Sequence, residues 1–384
     1  MLVLLRSTTA CNLRCRYCSA ACGEAPRHDL SENDCRLLLE HLPPLLHKGE
    51  SVAWLWHGGE PTLLPPEKFA AMQSILSGLE HLGHPTRCLM QTNGYVVTDA
   101  WLDVLTRFRV GVGVSLDGPA PLHDAMRVTA SNTGSYHDIL KNLEAMRQRN
   151  IAVSLLCTAR KEHMGRESEL LDWLESLDLP IRFNPLLHLG RSSDSLSPAD
   201  YYSFLRTVFS LALERQISLS IEPLEWMLAS VIADAPPREC SYNGQCGISI
   251  FSYGPGGDVG SCNRSDCFFG NLHETPLHIL RKTSPWHERC NRTKRLQAVC
   301  ATCSAWPLCH GGCPEVEGDE PIPGHCNARK NFFFWLRSEG LDMYRDALLR
   351  RRERLREHLR LIRQARAGMF PSQKAESSTL EQNA

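Results

Sequence analysis

Cys11-Asn12-Leu13-Arg14-Cys15-Arg16-Tyr17-Cys18 follows directly on an apolar, strand-like opening at residues 2–5. Three thiolates at this spacing, on a loop leaving a strand, can hold three irons of a [4Fe–4S] cube. The fourth iron then has no cysteine. An open coordination position is what separates a working metal site from a structural one, by the logic that holds for zinc. The amino and carboxylate groups of a small ligand could chelate that open iron.

Outward from this run, strand-like and helix-like segments alternate as far as about residue 215. Apolar runs of strand length lie at 2–5, 51–56, 88–91, 110–115, 152–157 and 181–187. Helical periodicity fits 31–42, 67–79, 100–108, 136–149 and 167–177. Ser31 with Asp34 resembles a capping box. Ser197-Pro198-Ala199-Asp200 offers a cap, a proline at the first helical position and an acid in the first turn. Sixfold alternation predicts an α/β fold with a parallel sheet and crossover helices, an open (β/α)6 TIM-like barrel rather than a closed eight-unit one. The site is then expected at the C-terminal ends of the strands.

Three more segments sit at those ends. His57-Gly58-Gly59-Glu60-Pro61 ends the second strand, where adjacent glycines let backbone approach a ligand and Glu60 can accept from an ammonium. Thr92-Asn93-Gly94 ends the third. Val114-Ser115-Leu116-Asp117-Gly118-Pro119 ends the fourth, and Ser115 and Asp117 are candidates for ribose hydroxyls. Each also reads as a plain turn, since Gly-Gly, Asn-Gly and Asp-Gly-Pro are turn formers. Beyond them, Arg127 suits a bidentate carboxylate contact or a surface ion pair. Tyr17 packs on a ligand or fills the mouth of the barrel.

The bulk composition narrows the function class. The 384 residues are 42% hydrophobic and 22% charged, enough for a packed core, and the net charge of −1 gives no general drive toward nucleic acid or an acidic membrane. No apolar run approaches the roughly 18 residues of a membrane helix. The opening lacks a basic region before its apolar run and is cut by Arg6, so it does not read as a signal peptide, and a cytoplasmic location is expected. Seventeen cysteines without a secretion signal are better read as metal ligands than as disulfides.

Those cysteines cluster twice, at 11–22 and again at 240–326. The second stretch is rich in glycine and proline, carries little periodicity, and has too little apolar surface for a core of its own. Metal clusters would cross-link it. Its eight principal cysteines are Cys240, Cys246, Cys262, Cys300, Cys303, Cys309, Cys313 and Cys326. Two four-cysteine zinc sites in a binding protein are the alternative, although the spacings of five and three fit zinc ribbons poorly. The remainder, 332–367, returns to helix, with nine arginines against three acids between 345 and 366. The expected domains are a partial barrel at 1–215, a cysteine-rich iron–sulfur domain at 216–335, a basic helix at 336–370 and a disordered tail at 371–384.

The triad with an aromatic before its last cysteine, then Gly-Gly-Glu, then Ser-Leu-Asp-Gly-Pro, then eight cysteines, resembles the radical S-adenosylmethionine (radical SAM) superfamily with a SPASM extension. The resemblance covers about residues 1–335. It implies three [4Fe–4S] clusters and S-adenosylmethionine. Cys11, Cys15 and Cys18 would hold the first cluster; Cys240, Cys246, Cys262 and Cys313 the second; Cys300, Cys303, Cys309 and Cys326 the third. It also implies that Tyr17, Gly58, Gly59, Glu60, Ser115, Asp117 and Arg127 contact the cofactor. A 5′-deoxyadenosyl radical would take hydrogen from a peptide or protein side chain, with a flavodoxin- or ferredoxin-type donor supplying electrons.

Two substrates follow from the resemblance. One is a ribosomally made peptide that gains a cross-link, thioether or epimer. The other is a sulfatase whose Cys or Ser becomes formylglycine. In the sulfatase-maturating group an aspartate after the third auxiliary cysteine serves as base; here Asn263 stands there, and Asn cannot take a proton at neutral pH. Asp266, three residues on, is the substitute candidate. No leader-binding module is expected in the chain, so leader capture falls to a separate protein or to the basic helix.

Overall fold

The structure is a computed structural model that describes residues 1–20, 26–188, 191–192, 194–217, 220–237, 240–264, 267–318 and 320–369. Six strands run parallel in chain order: β1 (Leu2–Arg6), β2 (Val52–His57), β3 (Thr86–Thr92), β4 (Gly111–Ser115), β5 (Val153–Ala159) and β6 (Ile181–Pro185). The strands bury Val3, Leu5, Trp54, Trp56, Met90 and Leu155 in one core that the helices share. Trp54, Trp56, Phe69 and Trp101 fill the helix-side core between β2 and its neighbours.

The expected helices form where their end signals lie. Ser31 caps Glu32–His41, with Asp34 closing a capping box. Ser197 accepts from the Asp200 N–H and starts Pro198–Arg215. The helix buries Phe204, Leu205, Val208 and Phe209 completely. The expected α/β arrangement of six strand–helix units is present.

The domain boundary at 215 is not where the sheet ends. Four further strands continue it: β7 (Ile221–Glu222), β8 (Ile250–Tyr253), β9 (Asp258–Gly260) and β10 (Phe268–Asn271), in the order β10-β9-β8-β1-β2-β3-β4-β5-β6-β7. β8 pairs parallel with β1, Leu2 facing Ile250 and Leu5 facing Tyr253. The cysteine-rich stretch is thus not core-poor. Phe251, Tyr253, Phe269 and Trp286 are buried, and Phe269 stacks on Trp286 with ring centroids 4.6 Å apart. Its apolar residues escape detection because they come in runs of two to four.

The C-terminal helix also starts earlier than expected. Helix Pro323–Trp335 passes through a wider turn at Leu336–Gly340 into Leu341–Met369. Proline occupies its first position, and the weak helix formers that follow hide it from periodicity. It packs on Pro198–Arg215, Phe332 meeting Tyr202 at 5.2 Å between centroids. Among the described residues no helix is long and apolar enough to cross a membrane. The segment 371–384 lies outside the described residues.

Candidate active site

The cysteine loop is an extension of the β1–β2 pairing. Past the strand ends, the Gly59 N–H donates to the Thr8 carbonyl at 2.7 Å and the Glu60 N–H to the Ala10 carbonyl at 2.8 Å. A Cβ at Gly59 would stand 1.9 Å from the Ala10 oxygen. Glycine is therefore required here because the cysteine loop's own backbone lies against it. On its far side the loop is tied to 126–128, with the Arg14 N–H on the Val128 carbonyl at 2.7 Å and the Arg16 N–H on Met126 at 2.9 Å. Leu13 plugs the underside, and Arg14 returns to hold the Cys11 carbonyl at 2.7 Å.

Glu60 is turned inward. It is 1% exposed, and its oxygens accept from the Thr62 N–H (3.0 Å), the Thr62 hydroxyl (2.9 Å), the Thr92 hydroxyl (2.6 Å) and the Asn93 N–H (2.6 Å). Burial raises its pKa despite these four donors. Oε1 takes three of these bonds and Oε2 one, and the carboxylate thereby ties the ends of β2 and β3 together. Asn93, bonded to it, passes the order on. Its Nδ2 donates to Asn12 Oδ1 at 2.7 Å and lies 3.8 Å from Cys11 Sγ.

Asp117 is likewise turned inward. It is fully buried, and Oδ2 takes Arg127 Nε at 2.9 Å and the Tyr17 hydroxyl, while Oδ1 takes the Thr158 N–H at 2.9 Å. Burial alone would raise its pKa; Arg127, His123, Tyr17 and the Thr158 amide outweigh burial and hold it at about 2. His123 and His163 brace its backbone, at N and O. The Arg127 contact is thus a buried ion pair rather than a surface one.

Two groups remain with unused bonding capacity. The terminal nitrogens of Arg127 make no hydrogen bond among the described residues, and its guanidinium stands 5.3 Å over the Tyr17 ring. The Ser115 hydroxyl, at the end of β4, has no partner among the described residues either. Arg127 also favours the thiolate at Cys15, whose pKa burial otherwise raises. Cys11 is pushed up to about 12, first by burial. His57, at the end of β2, is lowered to about 4 by burial and by Arg264, and its neutral Nδ1 accepts from the Gly58 N–H at 2.7 Å.

Seven of the eight later cysteines fall into two spatial groups. Cys240, Cys246 and Cys262 lie within electrostatic reach of Cys313, and Cys300 within reach of Cys303 and Cys309. Among the described residues no three metal-ligating side chains converge on one ion; a cube instead takes its four thiolates at separate corners. Sequence reasoning missed the arginines that hold these turns. Arg292, buried, donates to the carbonyls of Gly311 and Gly312 at 3.0 Å each and of Gly318 at 2.6 Å. Arg329 donates to Cys309 Sγ at 3.0 Å. No spacing rule flags them, because their partners are backbone oxygens and sulfurs far away in sequence. Asn263 buries both amide atoms without a partner among the described residues. Asp266 lies outside the described residues.

The donor set fits the implied groups. Three thiols sit on a braced loop, an arginine fork is open on one side, and a hydroxyl is unengaged beside them. Comparison with known proteins agrees. Residues 5–174 match the model of the Radical SAM superfamily. The chain is 23% identical over 359 residues to the cysteine-type anaerobic sulfatase-maturating enzyme of Clostridium perfringens (strain 13 / Type A), covering 86% of this chain and 95% of the relative. It is 24% identical over 320 residues to the serine-type enzyme of Klebsiella aerogenes, covering 79% and 77%. The structure of native anSMEcpe with bound AdoMet shares the fold with a TM-score of 0.78 at 21% identity, over 90% of this chain and 99% of that one. Streptococcus suis SuiB bound to S-adenosylmethionine gives 0.57 at 16% identity, over 84% and 75%. Braced cysteine loop, strand-end site and family match together identify residues 5–174 as a radical SAM domain, which a cysteine-rich extension follows.

Proposed function

We propose that this enzyme modifies a side chain of a peptide or protein, most directly a ribosomally made peptide. The observation that carries the reading is the open pair beside the cysteine loop, the unengaged Arg127 fork and Ser115 hydroxyl. A [4Fe–4S] cluster with S-adenosylmethionine supplies, when bound, an electron and a hydrogen-abstracting carbon radical. The chain's own residues do the rest. Cys11, Cys15 and Cys18 hold the cluster. Arg127, fixed by Asp117, receives the methionine carboxylate through its two free nitrogens. Ser115 meets the ribose, Tyr17 walls the site, and the Gly58–Gly59 backbone borders it. Cys240, Cys246, Cys262 and Cys313 hold a second cluster. Cys300, Cys303, Cys309 and Cys326 hold a third, with Arg329 aimed at one of its sulfurs. Hydrogen bonds of that kind tune cluster potentials. A low-potential flavodoxin or ferredoxin supplies electrons, and a separate protein presents the leader.

Peptide substrates are supported by the relatives: solved structures include anSMEcpe with peptides bound and SuiB bound to its precursor peptide SuiA. Formylglycine formation is the second reading, favoured by the sulfatase-maturating relatives. Asn263 argues against it, because an amide cannot accept the proton that the aspartate of that group takes.

Anaerobic reconstitution tests the proposal. It expects about twelve irons per chain, four for each cluster, and 5′-deoxyadenosine release under dithionite that rises when the substrate peptide is added and its mass changes. A sulfatase-derived Cys or Ser peptide converted to a hydrazide-reactive aldehyde would instead establish the second reading. Iron near four per chain would remove the auxiliary clusters.

A further inference from the structure

Between the C-terminal end of β6, helix Pro198–Arg215 and the cysteine-rich segment lies a cavity of about 420 Å³, within the range of small-ligand sites. Its walls mix aromatic surface from Tyr201 and Tyr242 with charge from Arg182, Arg264 and Glu315, and Cys313 lines it as well. The cavity therefore borders one group of auxiliary cysteines. Phe183, Asn184 and Pro185 of β6 line it too, so it opens at the end of a barrel strand.

The charges in the cavity do not cancel. Glu315 is committed to Arg289 at 2.8 Å. Arg329, a third arginine at the wall, is committed to Cys309 Sγ and the Tyr202 hydroxyl. Arg182 pairs with Glu222 at 3.7 Å and lies over the Trp226 ring. Arg264 is exposed to the cavity, and its guanidinium has no hydrogen bond or ion pair among the described residues; only its backbone N–H is used, on Cys262 Sγ at 3.4 Å. A guanidinium is a planar fork matched to a carboxylate. In a pocket walled by tyrosines, an anion gains more from it than in open water.

We infer that this cavity receives a carboxylate of the substrate, gripped by Arg264 with Arg182 beside it. The inference rests on the proposed peptide substrate and narrows it: the segment that enters carries an Asp or Glu side chain or ends in a free C-terminus. An arginine placed only to offset the charge of a thiolate cluster would show no preference among ligands.

Small blocked amino acids test the cavity without the true substrate. The dithionite-reduced holoenzyme, loaded with S-adenosylmethionine, is titrated with N-acetyl-aspartate amide, N-acetyl-asparagine amide and N-acetyl-alanine, and the paramagnetic broadening of each probe's proton lines is followed. Loss of a charged hydrogen bond corresponds to about tenfold in affinity. The aspartate probe is therefore expected to bind about tenfold more tightly than its asparagine isostere. The preference should vanish in Arg264→Gln and survive in part in Arg264→Lys, with iron content unchanged in both. Tightest binding of N-acetyl-alanine would support the inference and assign the carboxylate to a chain terminus. Equal binding of all three probes, or an aspartate preference kept in Arg264→Gln, would overturn it. Because the probes are not peptides, a failed peptide turnover assay leaves this outcome readable on its own.

Discussion

The two cysteine regions of this molecule are built by different means. The N-terminal loop is a continuation of sheet pairing. Backbone bonds from Gly59 and Glu60 reach Thr8 and Ala10, and a buried Asp117–Arg127 pair stands behind it. The C-terminal cysteines sit on short helices and turns held by arginine side chains on backbone carbonyls and sulfur. Geometry set by a sheet is shared with the core and survives without metal. Geometry set by long side chains over turns leans on the metal for its cross-links. An open site must keep its shape while one position exchanges ligands; a fully ligated cluster has no such need.

Crossed substitutions should break the comparison most visibly. Gly59→Ala forces a Cβ into the Ala10 carbonyl, so 5′-deoxyadenosine formation should be abolished while the auxiliary irons, about eight per chain, stay bound. Arg292→Ala should do the reverse, losing auxiliary iron while the cluster at Cys11, Cys15 and Cys18 persists. Iron analysis and electron paramagnetic resonance of both variants would decide. Loss of all iron from either would mean that the regions are one cooperative unit.

Arg127→Ala leaves a buried carboxylate unpaired, and breaking such pairs costs about 3–5 kcal/mol. Urea unfolding of the metal-free protein should show a loss of that size. A loss under about 1 kcal/mol, the worth of a surface pair, would place Asp117 in contact with water.

Acid sharpens the same point. Asp117 has a folded pKa of about 2, below its unfolded value. Its contribution is therefore complete above roughly pH 4 and is lost as pH falls toward 2, on the order of 2 kcal/mol in all. Asp117→Asn should flatten that part of the stability profile of the metal-free protein; an unchanged profile would contradict the pairing. The smallest effect is expected for Ser115→Ala. One hydrogen bond is worth about 0.5–1.5 kcal/mol. A rise of about two- to tenfold in the KM for S-adenosylmethionine at constant kcat is the expected result, and an unchanged KM would remove Ser115 from the site.

The sequence carried much of this site, but unevenly. The Ser31 and Ser197 caps and the sixfold alternation are local signals, and the structure places them as read. Glu60 and Asp117 were found as residues, and the structure adds partners within the fold that the sequence does not show. A carboxylate at a strand end looks the same from sequence whether it faces a ligand or the interior. Thr92 and Arg127, 32 and 10 residues away, decide which way each one faces. Arg264 and Arg292 gave no signal at all, since an arginine is ordinary surface chemistry until the fold encloses it.

By itself, then, the chain determined the N-terminal cysteine spacing, the helix caps and the parallel α/β frame, because those depend on neighbours a few residues apart. Only the tertiary structure decided that β8 closes on β1, that two strand-end acids turn inward, and that Arg264 shares a cavity with Cys313. Those outcomes depend on contacts between residues tens to hundreds of positions apart. Spacing along the chain does not encode such contacts until the sheet order brings them together.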